Sequence, residues 1–319
     1  MSTPALPAGM RFFERGWLSA NNILFDGPDG TALVDSGYVT HAEQTLALVA
    51  HALGGRPLQR LLNTHLHSDH CGGNAALQAR YPQLVTLIPP GQADAVRAWD
   101  QARLSYRSTG QCCERFRFDG LLTPGQTVSL GGRSWEIHAA PGHDPDAVLL
   151  FEPCSRVLIS GDALWQHGLG VVFPELDGEP GFAAAGATLD LIERLAPCVV
   201  IPGHGSPFGD ADHAEAHRPT LAVATALAVA RQRLAQFAAD PARHRRYGLK
   251  VLLKFKLLEW QRHPLQAVHA WARDVPYLVR LHARHGQGQP FGTWLDAIID
   301  ELCASGAAQR ADGWLVNTA

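Results

Sequence analysis

The segment LLNTHLHSDHCGGN, positions 61–74, constrains this chain more than any other part of it. An apolar run ends in His65, His67, Asp69 and His70, and two glycines follow immediately. Imidazole nitrogens and carboxylate oxygens are the donors that zinc and other borderline divalent metals take. At the end of an extended segment the side chains at i, i+2 and i+4 share a face. That spacing sets His65, His67 and Asp69 together and points His70 elsewhere, so one turn can feed two metals.

Three apolar β runs further along stop at more donors, at Pro141-Gly142-His143, Gly161-Asp162 and Pro202-Gly203-His204. Glycine beside each donor lets the backbone turn sharply and approach a metal closely. Around these points the pattern is strand-rich. NNILFDGPDGTALVDSG reads as two short strands joined by a turn at Pro28, Asp29 and Gly30, and QTVSLGGRSWEIHAAPGH as a hairpin. AVLLFEPCSRVLISGDALW holds two more strands, and LAPCVVIPGHGSP a helix end and a strand. HAEQTLALVAHAL has helical spacing, and LQRLLNTH followed by GGNAALQARY reads as strand, donor turn, helix.

In this order, Asp35-Ser36-Gly37, His65-Leu66-His67-Ser68-Asp69-His70, His143, Asp162 and His204 resemble the motif series of the metallo-β-lactamase superfamily, across roughly residues 10–225. The resemblance implies an α/β fold, a four-layer αββα sandwich with two metals at one edge. We expect this catalytic domain over 1–228 and a mostly helical, winged-helix-like domain over 229–319. By the same resemblance His65, His67 and His143 hold one metal, Asp69, His70 and His204 the other, and Asp162 bridges them. Asp69 and Asp162 are then the catalytic carboxylates, and Asp35 stands behind the site and fixes a ligand loop. Two divalent ions about 3.5–4 Å apart, zinc before iron or manganese, can share a water and lower its pKa. The bridging hydroxide is then the nucleophile, and no serine or cysteine nucleophile is required.

Departures inside the motif sort the activities. Diiron flavoprotein oxidases carry a glutamate where this chain has His67. Secreted antibiotic-degrading β-lactamases of the best-known subclass lack the Asp69-His70 type of pair and use a metal-binding cysteine. The resemblance therefore implies a dinuclear metal-dependent hydrolase of an ester-like bond, first a small-molecule thioester of glutathione or coenzyme A, or a lactone. The alternatives are an RNA or nucleic-acid phosphodiesterase and a mononuclear iron persulfide dioxygenase. Trp165, His167 and Phe173, in LWQHGLGVVF after Asp162, are candidates for the substrate pocket, as is Tyr106 in YRSTGQCCERFRF, where Arg107, Arg115 and Arg117 could hold an anion.

Charge is unevenly placed. Positions 1–230 carry 14 Arg, no Lys and 23 acidic residues, whereas 231–284 carry 12 basic residues against three acidic. The basic stretch, with Arg245, Arg246, Lys250, Lys254 and Lys256, suits either phosphates or a helical cap that shapes the pocket or makes a homodimer; we favour the cap. Helical spacing runs from about residue 212 past Pro219, then through YGLKVLLKFKLLEW and PFGTWLDAIIDELCASG, and AAQRADGWLVN reads as a hairpin turning at Asp312-Gly313. No apolar stretch is long enough to span a bilayer, and the N-terminal segment has no basic head before an apolar region, so we expect a cytoplasmic protein without membrane contact. The six cysteines show no zinc-type CxxC spacing, and we expect free thiols, Cys71 among them as a small residue at a helix start.

Overall fold

The structure, a computed structural model, describes residues 4–212 and 218–318. Two six-stranded sheets lie face to face. The first has β1 (Met10–Phe13), β2 (Asn22–Gly27), β3 (Gly30–Val34), β4 (Arg60–Leu62), β5 (Val85–Ile88) and β6 (Gly120–Leu121) in sequence order. The second has β12 (Phe208–Gly209), β11 (Val199–Pro202), β10 (Val157–Gly161), β9 (Val148–Glu152), β8 (Arg133–Ala139) and β7 (Thr127–Leu130).

Alternation along each strand explains the layers. Ile23, Phe25, Ala32, Val34 and Leu62 meet Trp135, Ile137, Val148, Leu150, Val157, Ile159, Val199 and Ile201 in one core between the sheets. Their neighbours Leu24, Leu33 and Leu61 point outward and pack under α1 (Ala42–Leu53) and α3 (Asn74–Arg80), which follow and precede short strands of that sheet. On the other outer face Leu149, Phe151, Leu158 and Val200 pack under α6 (Phe182–Leu195) and α7 (Leu221–Ala239). A strand covered on both faces must be apolar at every position, which is why VLLF, VLI and VVI read as continuous runs. The result is the four-layer αββα sandwich.

Helix α7 is capped by Thr220, whose Oγ1 accepts from Val223 N at 3.4 Å. The helix expected from about residue 212 therefore begins at Leu221 among the described residues, and 213–217 lie outside them. The expected division at 228/229 falls inside α7: Val223 and Leu234, on either side of it, join the same core beneath the second sheet. Beyond α7 come α8 (Pro241–Trp260), β13 (Arg262–Pro264), α9 (Leu265–Asp274), α10 (Pro276–His285), α11 (Phe291–Ala304) and the hairpin β14 (Ala308–Ala311) and β15 (Trp314–Asn317). Asp312 and Gly313 both have positive φ, 48° and 80°, as a two-residue hairpin turn requires. β13 adds a third strand to that hairpin. These helices bury Leu252, Leu253, Leu257, Leu278, Leu295 and Ile299 in a core of their own, which reaches the sandwich through Val171 and Leu176.

A polar contact fastens this region to the sandwich. His244 of α8 is buried against the rings of Phe182 and Phe237, and its Nε2 accepts from Val172 N at 3.2 Å. Burial holds the imidazole pKa down, at about 4. The unfolded chain, with an ordinary imidazole near 6.5, takes up the proton first as pH falls. Stability is thus lost as pH falls below about 6.5, and the loss is complete below about 4. We expect urea unfolding between pH 7 and 4.5 to show a loss larger by about 1–2 kcal/mol in the wild type than in His244→Asn, each protein being referred to its own value at pH 7.

Candidate metal centre

Parallel pairing of β3 with β4 and of β10 with β11 brings the carboxyl ends of these strands to one edge of the sandwich. The chain leaves those ends at Asp35, Asn63, Asp162 and Gly203, and the β8–β9 connection delivers His143 beside them. The two sheets are tied together here by Val148 N donating to Thr64 O at 2.8 Å and by Asn21 N donating to Gly203 O at 2.7 Å. Gly203 is required: a Cβ there would lie 2.2 Å from Asp162 Oδ1.

The strand ends at Leu62, the chain bends at Thr64 and His65, and after an extended His67 a helical turn, α2 (Ser68–Cys71), follows. That turn corrects the expectation from strand spacing. Asp69 does not share a face with His65 and His67; it swings to the His70 side, where its Oδ2 lies 3.0 Å from His204 Nε2 and 3.8 Å from His70 Nε2. The donors fall into two groups, His65 with His67 and His143, and Asp69 with His70, Asp162 and His204, each within 4.8 Å of its fellows. Asp162 reaches both. Its Oδ1 is 3.5 Å from His70 Nε2, and its Oδ2 is 3.4 Å from His143 Nε2 and 3.8 Å from His204 Nε2.

The surroundings choose which ring nitrogen faces inward. A carboxylate or a carbonyl can only accept, so His70 Nδ1 donates to Asp35 Oδ2 at 2.8 Å and His143 Nδ1 donates to Val171 O at 2.7 Å. Both Nε2 lone pairs then point into the cluster. Asp35 is itself held by Thr64 N and Thr64 Oγ1, at 2.9 and 2.8 Å, and sits at a left-handed φ of 57°, a region that aspartate enters more readily than most residues but still at some cost. Nδ1 of His67 lies 3.0 Å from His65 Nε2 and 2.8 Å from His143 Nε2, so three imidazoles aim nitrogens at one point. His70 Nε2 is buried and, among the described residues, has no well-formed hydrogen bond, its nearest acceptor being Asp162 Oδ1 at 3.5 Å. Converging lone pairs and an orphaned buried nitrogen fit divalent cations, which need several such donors at once.

Electrostatics agree. Burial lowers the pKa of His67 and of His143 to about 4, and holds His65 well below its usual value, so these three rings offer neutral nitrogens. Burial would raise the carboxyls of Asp69 and Asp162, yet the surrounding histidines win and hold both below the usual range as anions. Burial alone would lower His70, but Asp35, Asp162 and Asp69 push its pKa well above normal, a measure of how strongly this point attracts positive charge.

Above the donors lies a cavity of about 270 Å3. Phe173 stands edge-on to His67 and His143, with ring centroids 5.1 and 5.4 Å away. Trp165 also lines the cavity, and its Nε1 donates to Asp162 Oδ1 at 3.1 Å. The other expected wall residues are placed differently. Tyr106 is fully buried behind the donor turn, its hydroxyl donating to Leu66 O at 2.9 Å and lying 3.1 Å from Cys71 Sγ. His167 lines an adjoining cavity instead. Arg115 donates to Arg97 O, and Arg117 to Pro82 O and Leu84 O; neither they nor Arg107 line the donor cavity. Cys71 closes α2 and is buried, and all six cysteines are free. Sequence reading missed Trp17, which stacks on His204 at 5.3 Å and 12°, and Asp144, buried 3.7 Å from His67 Nε2. It also missed the roof of the cavity, made by Tyr247, Val251 and Phe255 of α8 and by Tyr277 and Arg280 of α10.

Comparison with known proteins places the site in a family. Residues 15–204 match the model of the metallo-beta-lactamase superfamily. A hydroxyacylglutathione hydrolase from Acidiphilium cryptum is 32% identical over 201 residues, 62% of this chain and 72% of that protein. An acyl-coenzyme A thioesterase, MBLAC2, from Gallus gallus is 26% identical over 215 residues, 62% of this chain and 76% of that protein. In four such hydrolases the matched part is 52% to 76% of the whole protein. A metallo-beta-lactamase family protein from Thermus thermophilus superposes with a TM-score of 0.54 at 20% identity, over 98% of this chain and all of that one.

Asp35 acts on the donor cluster through His70, so Asp35→Ala should lower the affinity for zinc by about 10–100-fold in competition with a chromogenic chelator. Asp35→Asn, which can still face the ring, should lose less.

Proposed function

The chain belongs to the metallo-β-lactamase superfamily and is a metal-binding hydrolase; from that premise we propose that it hydrolyses small-molecule thioesters of the acyl-glutathione or acyl-coenzyme A type. In this reading His65, His67 and His143 hold one divalent ion, Asp69, His70 and His204 hold a second, and Asp162 lies between them. Zinc is the ion expected from the nitrogen-rich set. The observation that carries the reading is the Asp162 carboxylate, with one oxygen turned to His70 and the other to His143 and His204, under a cavity of about 270 Å3.

Hydrolysis joins a water oxygen to the acyl carbon, breaks the carbon–sulfur bond and leaves the thiol with a proton. When bound, two such ions supply a water of lowered pKa and charge stabilisation for the acyl oxygen. Everything else falls to the chain. Asp35 and Val171 O hold the His70 and His143 rings in the inward-facing tautomer. Trp165 fixes the Asp162 carboxylate through Oδ1. Trp17 over His204, and Phe173 against His67 and His143, shield the donors from bulk water and strengthen every charge interaction among them. Val251, Leu252 and Phe255 close the cavity from above with apolar surface, which suits a small organic substrate.

The basic stretch supports this reading over a nucleic-acid surface, because four of the five cations at its charge maximum are engaged within the fold. Arg246 and Lys250 both pair with Glu301, Lys256 pairs with Glu259 at 2.8 Å, and Lys254 donates to Ala307 O, Thr318 O and Asn317 Oδ1, each at 2.7 Å. Phosphate binding needs cations free to release their counterions.

Metal-loaded protein should turn over at least one acyl-glutathione or acyl-coenzyme A thioester, and Asp162→Ala should lose at least about a thousandfold in kcat/KM. Doubling the neutral salt, or neutralising Arg245 and Arg246 with glutamine, should leave that rate within about twofold. Cleavage of single-stranded RNA or of lactones alone would replace the thioester reading.

A further inference from the structure

A second cavity, of about 560 Å3, adjoins the donor cavity and shares Trp17, Trp165, His204, Tyr247, Val251 and Phe255 with it. The two indoles meet edge-on at 5.3 Å, so they and the shared side chains of α8 stand where one space passes into the other.

The two spaces differ in chemistry. Away from the donors, the first is lined by Arg103, Ser108, Thr109, Gln111, Tyr277 and Arg280. Tyr277 is 3% exposed, and its hydroxyl has no hydrogen-bond partner among the described residues. A buried hydroxyl left in that condition is costly, and a ligand's amide or carbonyl relieves the cost. The second space is walled by Val251, Phe255, Leu258, Leu302 and the two indoles. Two of its three cations are already bound: Lys254 has its three acceptors, and Lys250 faces Glu301 at 3.3 Å. What this space offers a ligand is mostly apolar surface, and its volume is that of a pocket for an extended organic chain.

A thioester carries its two substituents on opposite sides of the acyl carbon. With that carbon at the donors, one substituent enters each space. Resting on the thioesterase reading, we propose that the second cavity receives a long aliphatic acyl chain, and that the polar wall of the first receives the amide-bearing thiol carrier, with the Tyr277 hydroxyl hydrogen-bonded to it. Leu258 lines only the second space and Tyr277 only the first, so the two halves of the assignment separate by mutation. Each methylene that enters the apolar space should raise kcat/KM by about three- to fourfold until the space is filled.

The test is an acyl-coenzyme A series of acetyl, hexanoyl, decanoyl and tetradecanoyl thioesters, hydrolysed by the wild type, Leu258→Trp, Ser305→Trp and Tyr277→Phe. Ser305 is an exposed residue of the same wall, so its variant serves where Leu258→Trp fails to fold. Binding of sodium dodecanoate, followed by calorimetry, gives a readout independent of turnover. The wild type should favour the longer chains and bind dodecanoate. Either tryptophan variant should lose at least about tenfold on decanoyl and tetradecanoyl thioesters and keep the acetyl rate within about twofold. Tyr277→Phe should lose about fivefold on all four alike, since one hydrogen bond to the carrier is removed.

A flat chain-length profile in the wild type, or tryptophan variants that slow all four substrates equally, would overturn the assignment. If no thioester of any length is turned over, the thioesterase reading fails, and the calorimetry still decides the cavity. Dodecanoate bound by the wild type and lost in the tryptophan variants would keep it as an aliphatic-chain site; no binding would remove it.

Discussion

Nδ1 of His67 lies 2.8 Å from Nε2 of His143 and 3.0 Å from Nε2 of His65. One imidazole N–H can serve only one of these contacts well, whereas a cation set among the three nitrogens satisfies all of them at once. Much of the sandwich edge exists to hold this arrangement. Val171 O fixes the His143 ring, Asp35 and Thr64 fix His70, and Val148 N and Asn21 N tie the two sheets together beside them. A strained φ at Asp35 and an orphaned nitrogen on His70 are local costs, offset by the apolar core between the sheets.

The helices after α7 complete what the sandwich begins. They are fastened beside the site by polar contacts of high directionality: Tyr38 Oη donates to Glu259 Oε2 at 2.8 Å, Tyr277 N donates to Ser108 O at 3.0 Å, and Val172 N donates to His244 Nε2. Glu259 also holds Lys256, so a charge that reads in sequence as part of a basic surface is spent on positioning α8. The same helix turns Val251 and Phe255 toward the donors. The sandwich thus supplies the reactive edge, and the appended helices decide what shape of molecule reaches it.

Much of this was legible in the sequence because the constraints are local. A strand buried on both faces must be continuously apolar, and a donor at its end needs a glycine to let the chain pass; hence Gly161-Asp162 and Gly203-His204 announce themselves. The direction of Asp69 was not legible from strand spacing, because the helical turn of α2 replaces the extended run after His67. Tyr106 lies in a polar segment that suggests an overhanging loop, yet the loop folds its ring under α2, where the hydroxyl finds Leu66 O. His167 follows Trp165 closely, but Gly168, at a φ of 143°, turns the chain back and leaves the histidine to the adjoining cavity. Trp17 carries no motif: its role follows from Asn21, whose side chain holds Pro202 O and Gly205 O and so brings the two loops together. α9 and α10 are ten residues each and are divided by Pro276, so neither is long enough to make a helical period plain.

Two donor groups joined by one carboxylate should hold two ions. This is tested most directly by crystals of the metal-loaded protein, with anomalous diffraction recorded above and below the zinc absorption edge. Two anomalous peaks are expected, one among His65, His67 and His143 and one among Asp69, His70 and His204, with the Asp162 carboxylate touching both. A single peak at full loading, or two peaks with Asp162 on only one of them, would contradict this.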